Sequence, residues 1–215
     1  MTYKAIIFDM DGVLFDTEAF YYKRRELYLA GHGIYIHHIP KSYFIGGNMK
    51  QVWYKILGDD YDKWDVPALQ VGYLQHKKDH PLPYKELLFP DVKKTLSSLK
   101  AKGYKIGLAS SSMKSDILRA LEENDLTRYF QVTLSGEEFA ETKPDPEIYL
   151  TACTRLGVAP EDALIIEDSE KGIAAGKAAG ATVWAIRDTR FGFNQEEADK
   201  KVDNLTQALE CLRKD

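Results

Sequence analysis

The sequence predicts an α/β fold, in which a doubly wound parallel sheet carries a small inserted helical domain. Short unbroken apolar runs alternate with segments of helical periodicity along most of the chain. After the first apolar run, residues 17–83 show helical spacing and no strand-like run. The 215 residues are 44% hydrophobic, which is enough for a sizeable core together with such an insert.

The first predicted strand, residues 5–8, ends on two acids. Asp9 and Asp11 follow the apolar run directly, and Gly12 comes next. Alternation in extended backbone places the two carboxylates on one side, at the strand end where open α/β sheets bind ligands. Two bare carboxylates repel each other, and a divalent cation removes that cost. The pair therefore predicts a metal-assisted site.

The remaining strands are predicted after the insert, and each is preceded by a helix. Two of them also end on polar side chains: Ser110 follows one, and Glu167 and Asp168 follow another. Parallel strands bring these residues to the same edge as Asp9. The predicted strands are residues 105–109, 131–134, 163–166 and 182–186, and the predicted helices lie around residues 92–99, 117–121, 148–156 and 172–179.

The domain prediction is a core of residues 1–16 and 84–215 with a helical cap of residues 17–83. Leu82 to Pro90 is interpreted as the return linker, and the two junctions are expected to act as hinges. All five histidines fall inside the insert. Only His76 and His80 have the spacing of a helical ligand pair, and no acid accompanies them at ligand spacing. We interpret the histidines as solvated or capping residues.

Composition excludes several classes of function. A net charge of −4 and the absence of a basic run argue against nucleic acid as a partner. No apolar run approaches the length of a bilayer span, and acids appear too early for a signal peptide. Cys153 and Cys211 lie far apart, which argues against a disulfide framework or a zinc site. We expect a cytoplasmic protein that is a monomer or a weak dimer.

A lysine that is followed by two prolines supplies a fixed cation. Pro144 comes directly after Lys143, and with Pro146 it restricts the backbone of this segment. Backbone N–H groups after Ser110 would favour an anion such as phosphate, and Lys143 adds a point charge for the same anion. The carboxylates at the strand ends, together with Ser110 and Lys143, therefore predict a magnesium site combined with an anion site.

Four segments, in this order, resemble the motifs of the haloacid dehalogenase-like hydrolases, in their β-phosphoglucomutase-like phosphatase branch. The segments are Asp9–Thr17, Ala109–Ser112, Lys143–Pro146 and Ile166–Ser169.

The resemblance implies a role for each motif residue. Asp9 would be the nucleophile that forms an aspartyl-phosphate, and Asp11 the general acid and base. Magnesium would be held by Asp9, Asp11, Glu167 and Asp168, with Asp11 contributing its backbone carbonyl. The transferring phosphoryl group would be held by Ser110, Ser111 and Lys143.

The same resemblance leaves the phosphoryl acceptor open. The mutases carry a lysine and an arginine around a cap glycine, where this chain has Ile45 and Met49 beside Gly46. Gly46, Lys50 and Lys77 remain candidates for substrate binding in the cap. The prediction is a magnesium-dependent phosphatase of small phosphorylated metabolites such as sugar phosphates. A β-phosphoglucomutase and a non-catalytic binding module are the alternatives. A dehalogenase is disfavoured, because a halide leaving group needs no proton donor such as Asp11.

Overall fold

A computed structural model of the protein describes residues 3–44 and 49–213. The chain forms two compact units. The core unit comprises Met1–Asp16 and Tyr84–Asp215, and the insert unit comprises Thr17–Pro83. In the described part of the chain, none of the helices combines the length and apolar character that a bilayer crossing requires.

The core unit is built on a six-stranded sheet in which all neighbouring strands are parallel, as predicted. The strand order is β3-β2-β1-β4-β5-β6, so the direction of winding reverses between β1 and β4. Ligand sites of doubly wound sheets lie at this reversal. The strands are β1 (Ala5–Phe8), β2 (Lys105–Ser110), β3 (Val132–Ser135), β4 (Ala163–Glu167), β5 (Thr182–Ile186) and β6 (Lys200–Val202).

The sequence predicted five strands, and the sheet of the described residues has six, because β6 was not predicted. β6 has three residues, of which only Val202 is a buried apolar side chain. It pairs with β5 at the edge of the sheet, where its other edge has no neighbouring strand among the described residues. Such a short, lysine-bearing edge strand carries no apolar run that sequence periodicity could detect.

The insert unit is helical, as its periodicity predicts. Helices α1 (Glu18–Ala30), α2 (Met49–Leu57) and α3 (Val66–Asp79) are joined by 3₁₀ turns at Lys41–Phe44 and Gly58–Lys63. Asp65 caps α3 by accepting a hydrogen bond from the backbone N–H of Ala68. The unit has its own buried cluster, in which α1 contributes Tyr28 and Leu29 and α2 contributes Trp53.

The helices of the core unit cover its buried strands. They are α4 (Tyr84–Leu87), α5 (Val92–Ala101), α6 (Lys114–Glu123), α7 (Glu147–Leu156), α8 (Glu170–Ala178) and α9 (Leu205–Cys211). α4 falls within the segment predicted to be only a linker. Its first residue, Tyr84, is fully buried and packs edge-on against Phe15, which explains why this segment is ordered as a helical turn.

Register places the polar strand ends side by side. Phe8 of β1 pairs with Leu108 on one side and with Ile166 on the other. Asp9, one residue further on, donates its backbone N–H to the carbonyl of Ile166. The carboxyl ends of β1, β2 and β4 therefore finish at the same level of the sheet.

Candidate active site

Lys143 is the residue that joins three of the strand ends. Its Nζ lies 2.6 Å from Oδ1 of Asp9 and 2.7 Å from Oε1 of Glu167, and it also donates to the carbonyl of Ala109 at 3.0 Å. All three charged side chains are buried. One ammonium thus contacts β1, β2 and β4 at their carboxyl ends, which fixes its three donors.

Glu167 accepts hydrogen bonds from several groups besides Lys143. Its Oε1 also accepts from the hydroxyl of Tyr149 at 2.8 Å. Its Oε2 accepts from the backbone N–H groups of Asp168 and Ser169 and from the Ser169 hydroxyl. A carboxylate offers about four lone-pair directions, so these donors hold Glu167 in one orientation. Gly172 is required beside it, because a Cβ there would overlap the Glu167 carboxylate.

Burial and neighbouring charges shift the ionisation of this cluster. Burial raises the pKa of Asp9 to about 7, and the charges of Glu167 and Asp11 act in the same direction, while Lys143 opposes them. Burial disfavours the Lys143 ammonium, but Asp9 and Glu167 overcome this effect and raise its pKa well above the usual value. The ammonium is therefore held in its charged form by the carboxylates.

Carboxylate oxygens of Asp9, Glu167 and Asp168 lie within 4.8 Å of one another, so three of the four predicted metal ligands come together. An all-oxygen set of buried carboxylates is the chemistry that Mg²⁺ prefers. The Asp11 carboxylate is not in this group among the described residues. Gly12 has a positive φ of 77° and passes so close to Asp168 that a Cβ would overlap its carboxylate.

Asp11 instead meets the segment that follows β2. Oδ2 of Asp11 accepts a 2.6 Å hydrogen bond from the hydroxyl of Ser112. The Ser112 carbonyl accepts from the hydroxyl of Ser135 at 2.7 Å, which ties this segment to the end of β3. The Ser112 backbone is therefore held by Ser135, and the Ser112 hydroxyl orients the Asp11 carboxylate.

The two serines predicted to hold phosphate differ in environment. Ser110 is buried at the last position of β2, and its Oγ accepts from the backbone N–H of Ser112 at 3.0 Å. Ser111 is exposed. α6 begins only at Lys114, so Ser110 caps the turn after β2 and not the helix itself.

The candidates in the insert unit are described only by their place in that unit. Gly46 lies outside the described residues, and Lys50 belongs to α2 with its side chain outside them. Lys77 is in the last turn of α3 and is partly buried. Their role in substrate binding stays a prediction.

Sequence reasoning missed two residues that support the site. Tyr149 lies on α7, six positions after Lys143. In the sequence it is typical of an aromatic residue that packs in a hydrophobic core. Gln195 is buried, and its Nε2 donates to the carbonyls of Asp168 and Ile186 at 2.6 and 2.8 Å. No motif surrounds Gln195. The sequence therefore carried no signal for its role, which depends on burial and on the two carbonyls that it contacts.

A model of the family described as "Haloacid dehalogenase-like hydrolase" matches residues 6–186. This range contains all the motif residues of the core cluster. The chain belongs to the haloacid dehalogenase-like hydrolases. The resemblance seen in the sequence is thus confirmed.

Relatives and solved structures agree with this assignment. The chain is 34% identical over 180 residues to a phosphorylated carbohydrates phosphatase of Thermotoga maritima, covering 82% of each chain. It is 32% identical over 180 residues to a phosphoglycolate phosphatase of Aquifex aeolicus, covering 82% of this chain and 81% of that one. A β-phosphoglucomutase of Clostridium difficile has the same fold, with a TM-score of 0.84 at 24% identity over 100% of this chain and 96% of that one. The two relatives support the assignment to the haloacid dehalogenase-like hydrolases, and the solved structure shows that the fold is shared.

Proposed function

We propose that the protein is a magnesium-dependent phosphatase of small phosphorylated metabolites such as sugar phosphates, and that it works through an aspartyl-phosphate on Asp9. The observation that carries the proposal is the contact of Lys143 with both Asp9 and Glu167 beside the carboxylate of Asp168. The names of the relatives, which act on phosphorylated carbohydrates and phosphoglycolate, support a small phosphate ester as substrate.

In the first step, a carboxylate oxygen of Asp9 attacks phosphorus and the bond to the leaving oxygen breaks. Asp11, oriented by Ser112, gives the leaving oxygen a proton. In the second step, water attacks the phosphorus of the aspartyl-phosphate, Asp11 takes a proton from that water, and inorganic phosphate leaves with Asp9 restored.

Lys143 and the carboxylate cluster would both contribute to charge stabilisation at Asp9. The Lys143 ammonium lies 2.6 Å from its Oδ1 and would balance charge on the phosphoryl oxygens. Asp9, Asp168 and Glu167, with the Asp11 carbonyl, would hold a Mg²⁺ ion, Glu167 contributing directly or through water. Bound magnesium supplies electrostatic neutralisation of the phosphoryl oxygens. Ser110 and the Ser111 amide would hold the phosphoryl group.

Phosphate release from a panel of sugar phosphates and other small phosphate esters, with Mg²⁺ or with EDTA, tests the proposal. We expect hydrolysis that EDTA abolishes and that Asp9→Asn lowers by at least about 10³-fold, because the covalent route is removed. Asp162→Asn is the matched control, since Asp162 pairs with Lys4 at the surface. Wild-type rates in the Asp9→Asn variant would exclude the covalent route.

The reaction product distinguishes the proposed phosphatase from the alternative, a mutase. A mutase must hold a bisphosphate, and the cap positions that carry cations in mutases are Ile45 and Met49 in this chain. We therefore expect free phosphate, and no conversion of β-glucose 1-phosphate to the 6-phosphate when the bisphosphate is supplied as primer.

A further inference from the structure

Gln195 bridges the ends of two neighbouring strands of the core unit. Its Nε2 donates to the carbonyl of Asp168 at 2.6 Å and to the carbonyl of Ile186 at 2.8 Å. The last pair in the register of β4 and β5 is Glu167 with Ala185, so Asp168 and Ile186 are the next residue on each side. The side-chain amide therefore continues the connection between the two strands one position beyond their paired register.

Asp168 depends on this bond because it lies between two regular elements. β4 ends at Glu167 and α8 begins at Glu170. The Asp168 N–H donates to Oε2 of Glu167 at 2.9 Å, and its carbonyl accepts from Gln195. The peptide groups on both sides of the Asp168 Cα are therefore held by side chains. Gly12 passes so close to the Asp168 carboxylate that a Cβ would overlap it, so the direction of the carboxylate follows the backbone that Gln195 holds.

The amide of Gln195 is itself held in one orientation. Its Oε1 accepts from the backbone N–H of Asp188 at 3.0 Å, while its Nε2 faces the two carbonyls. Because a carbonyl accepts and an N–H donates, these partners allow only one placement of the amide oxygen and nitrogen. Gln195 is buried, so breaking any of these bonds costs the desolvation of a polar group.

The loop that presents Gln195 is organised around Asp188. Residues 187–199 connect β5 to β6. The Asp188 carboxylate accepts from the backbone N–H groups of three residues further along the loop, Arg190, Phe191 and Phe193. These bonds close a turn just before Gln195, so the amide extends from a backbone that is already fixed.

The residue that Gln195 holds belongs to the carboxylate cluster, in which oxygens of Asp9, Glu167 and Asp168 lie within 4.8 Å of one another. We propose that Gln195 is a positioning residue for a divalent cation at this cluster, and that it acts by directing the Asp168 carboxylate towards the other two. The inference rests on the proposed magnesium-dependent function and assigns part of the metal affinity to the loop between β5 and β6. Removing a group that orients a metal ligand typically costs about 10–100-fold in metal affinity or activity.

Calorimetric titration of Mg²⁺ into the metal-free protein measures this contribution without turnover. Gln195→Met keeps the length of the side chain and removes its amide. We expect it to raise the dissociation constant for Mg²⁺ by about 10-fold, because the Asp168 carboxylate is no longer held in place. Gln195→Asn is a milder variant that keeps an amide but is one methylene shorter, so it cannot span both carbonyls and should weaken binding in the same direction.

Gln207→Met is the matched control. Gln207 lies on α9, and its Oε1 accepts from the backbone N–H of Asp203, just beyond β6. This variant also removes a glutamine amide that bonds to the backbone, but β6 is two strands away from β4 in the sheet. It should leave the dissociation constant for Mg²⁺ unchanged. Thermal unfolding in EDTA checks that each variant has a cooperative transition.

Kinetics separate positioning from a purely structural role. In Gln195→Met the Mg²⁺ concentration that gives half-maximal rate should rise by about 10-fold, with kcat at saturating Mg²⁺ nearly unchanged, since excess cation refills the weakened site. A purely structural role would lower the melting temperature and leave the dissociation constant for Mg²⁺ as it is in the wild type. That result in both Gln195→Met and Gln195→Asn would overturn the proposal.

Binding and activity together separate this inference from the phosphatase proposal. Weaker Mg²⁺ binding in Gln195→Met supports the positioning role even if the wild type hydrolyses no phosphate ester. Hydrolysis by the wild type, with unchanged Mg²⁺ binding in the Gln195 variants, refutes the positioning role and leaves the phosphatase proposal standing. A wild-type protein that binds no Mg²⁺ would refute the positioning role as well.

Discussion

The hydroxyl of Ser112 donates a 2.6 Å hydrogen bond to Oδ2 of Asp11, across 101 positions of the chain. Ser112 is itself fixed, because its carbonyl accepts from Ser135 on the neighbouring strand. The proposed proton donor is therefore oriented by a residue of a different strand end, and the proton transfer depends on how well that serine is held.

Removal of this hydroxyl should slow the chemistry more than it weakens binding. We expect Ser112→Ala to lower kcat by about 10-fold with KM nearly unchanged, since general acid–base catalysis contributes about 10²–10⁴-fold and only orientation is lost. Ser112→Thr keeps the hydroxyl and should recover most of the rate. Steady-state kinetics on one good substrate is the measurement, and a change confined to KM would contradict this role.

Tyr149 should act on rate through Glu167. Tyr149→Phe removes the 2.8 Å bond to Oε1, leaving Lys143 as the remaining side-chain donor to that oxygen. We expect a loss of about 1–2 kcal/mol in the free energy of unfolding and a several-fold fall in kcat. Urea unfolding and kinetics measure the two effects. Tyr104→Phe, just before the amino end of β2, is the control and should leave kcat unchanged.

Magnesium should stabilise the folded protein through the carboxylate group. A ligand that binds only the native state at about 100 times its dissociation constant adds about 2.7 kcal/mol. We expect excess Mg²⁺ to raise the melting temperature over that in EDTA, and Asp168→Asn to remove most of the increase, because Asp168 belongs to the cluster with Asp9. Asp162→Asn should keep the full increase. Thermal unfolding monitored by circular dichroism measures it, and an equal shift in both variants would exclude this site as its source.

Asp188 should make the fold sensitive to acid. Burial raises its pKa, but backbone N–H bonds from Arg190, Phe193 and Phe191 outweigh burial and lower it. A lowered folded-state pKa gives stability that is present above the unfolded value of about 3.9 and is lost as pH falls through the folded value.

Asp188→Asn isolates that contribution. Because the carboxylate is partly exposed, we expect it to contribute only about 1 kcal/mol near neutral pH. The difference in unfolding free energy between wild type and Asp188→Asn should therefore shrink below about pH 4. Urea unfolding across the acid range measures this difference. If the difference in unfolding free energy does not change with pH, the effect of the substitution is due to packing and not to the charge of Asp188.

The sequence predicted the parts of the fold that carry strong local signals. β1 and β4 are unbroken apolar runs that end on acids, so both the strands and the edge that they share could be inferred. β6 could not, because two of its three residues are lysines and it pairs at the edge of the sheet. Its position depends on tertiary pairing with β5, which local periodicity does not encode.

The positions of the candidate site residues were predictable where these residues lie in motifs. Asp9, Glu167 and Lys143 lie in such motifs, and the structure brings them into contact. Gln195 shows the opposite case. Its importance lies in its burial and in the carbonyls that it contacts, and it looks like an ordinary polar surface residue in a single sequence.

The sheet order also has a consequence for synthesis. β1 lies in the middle, yet its two neighbours follow much later, since Ala5 pairs with Lys105 and Ala163. During synthesis β1 stays unpaired until β2 and β4 have left the ribosome. Most of the polypeptide must therefore be made before β4 can pair with β1. A nascent chain that stalls before this point would present an unpaired apolar strand, which makes it a natural client for chaperones and a hazard for aggregation.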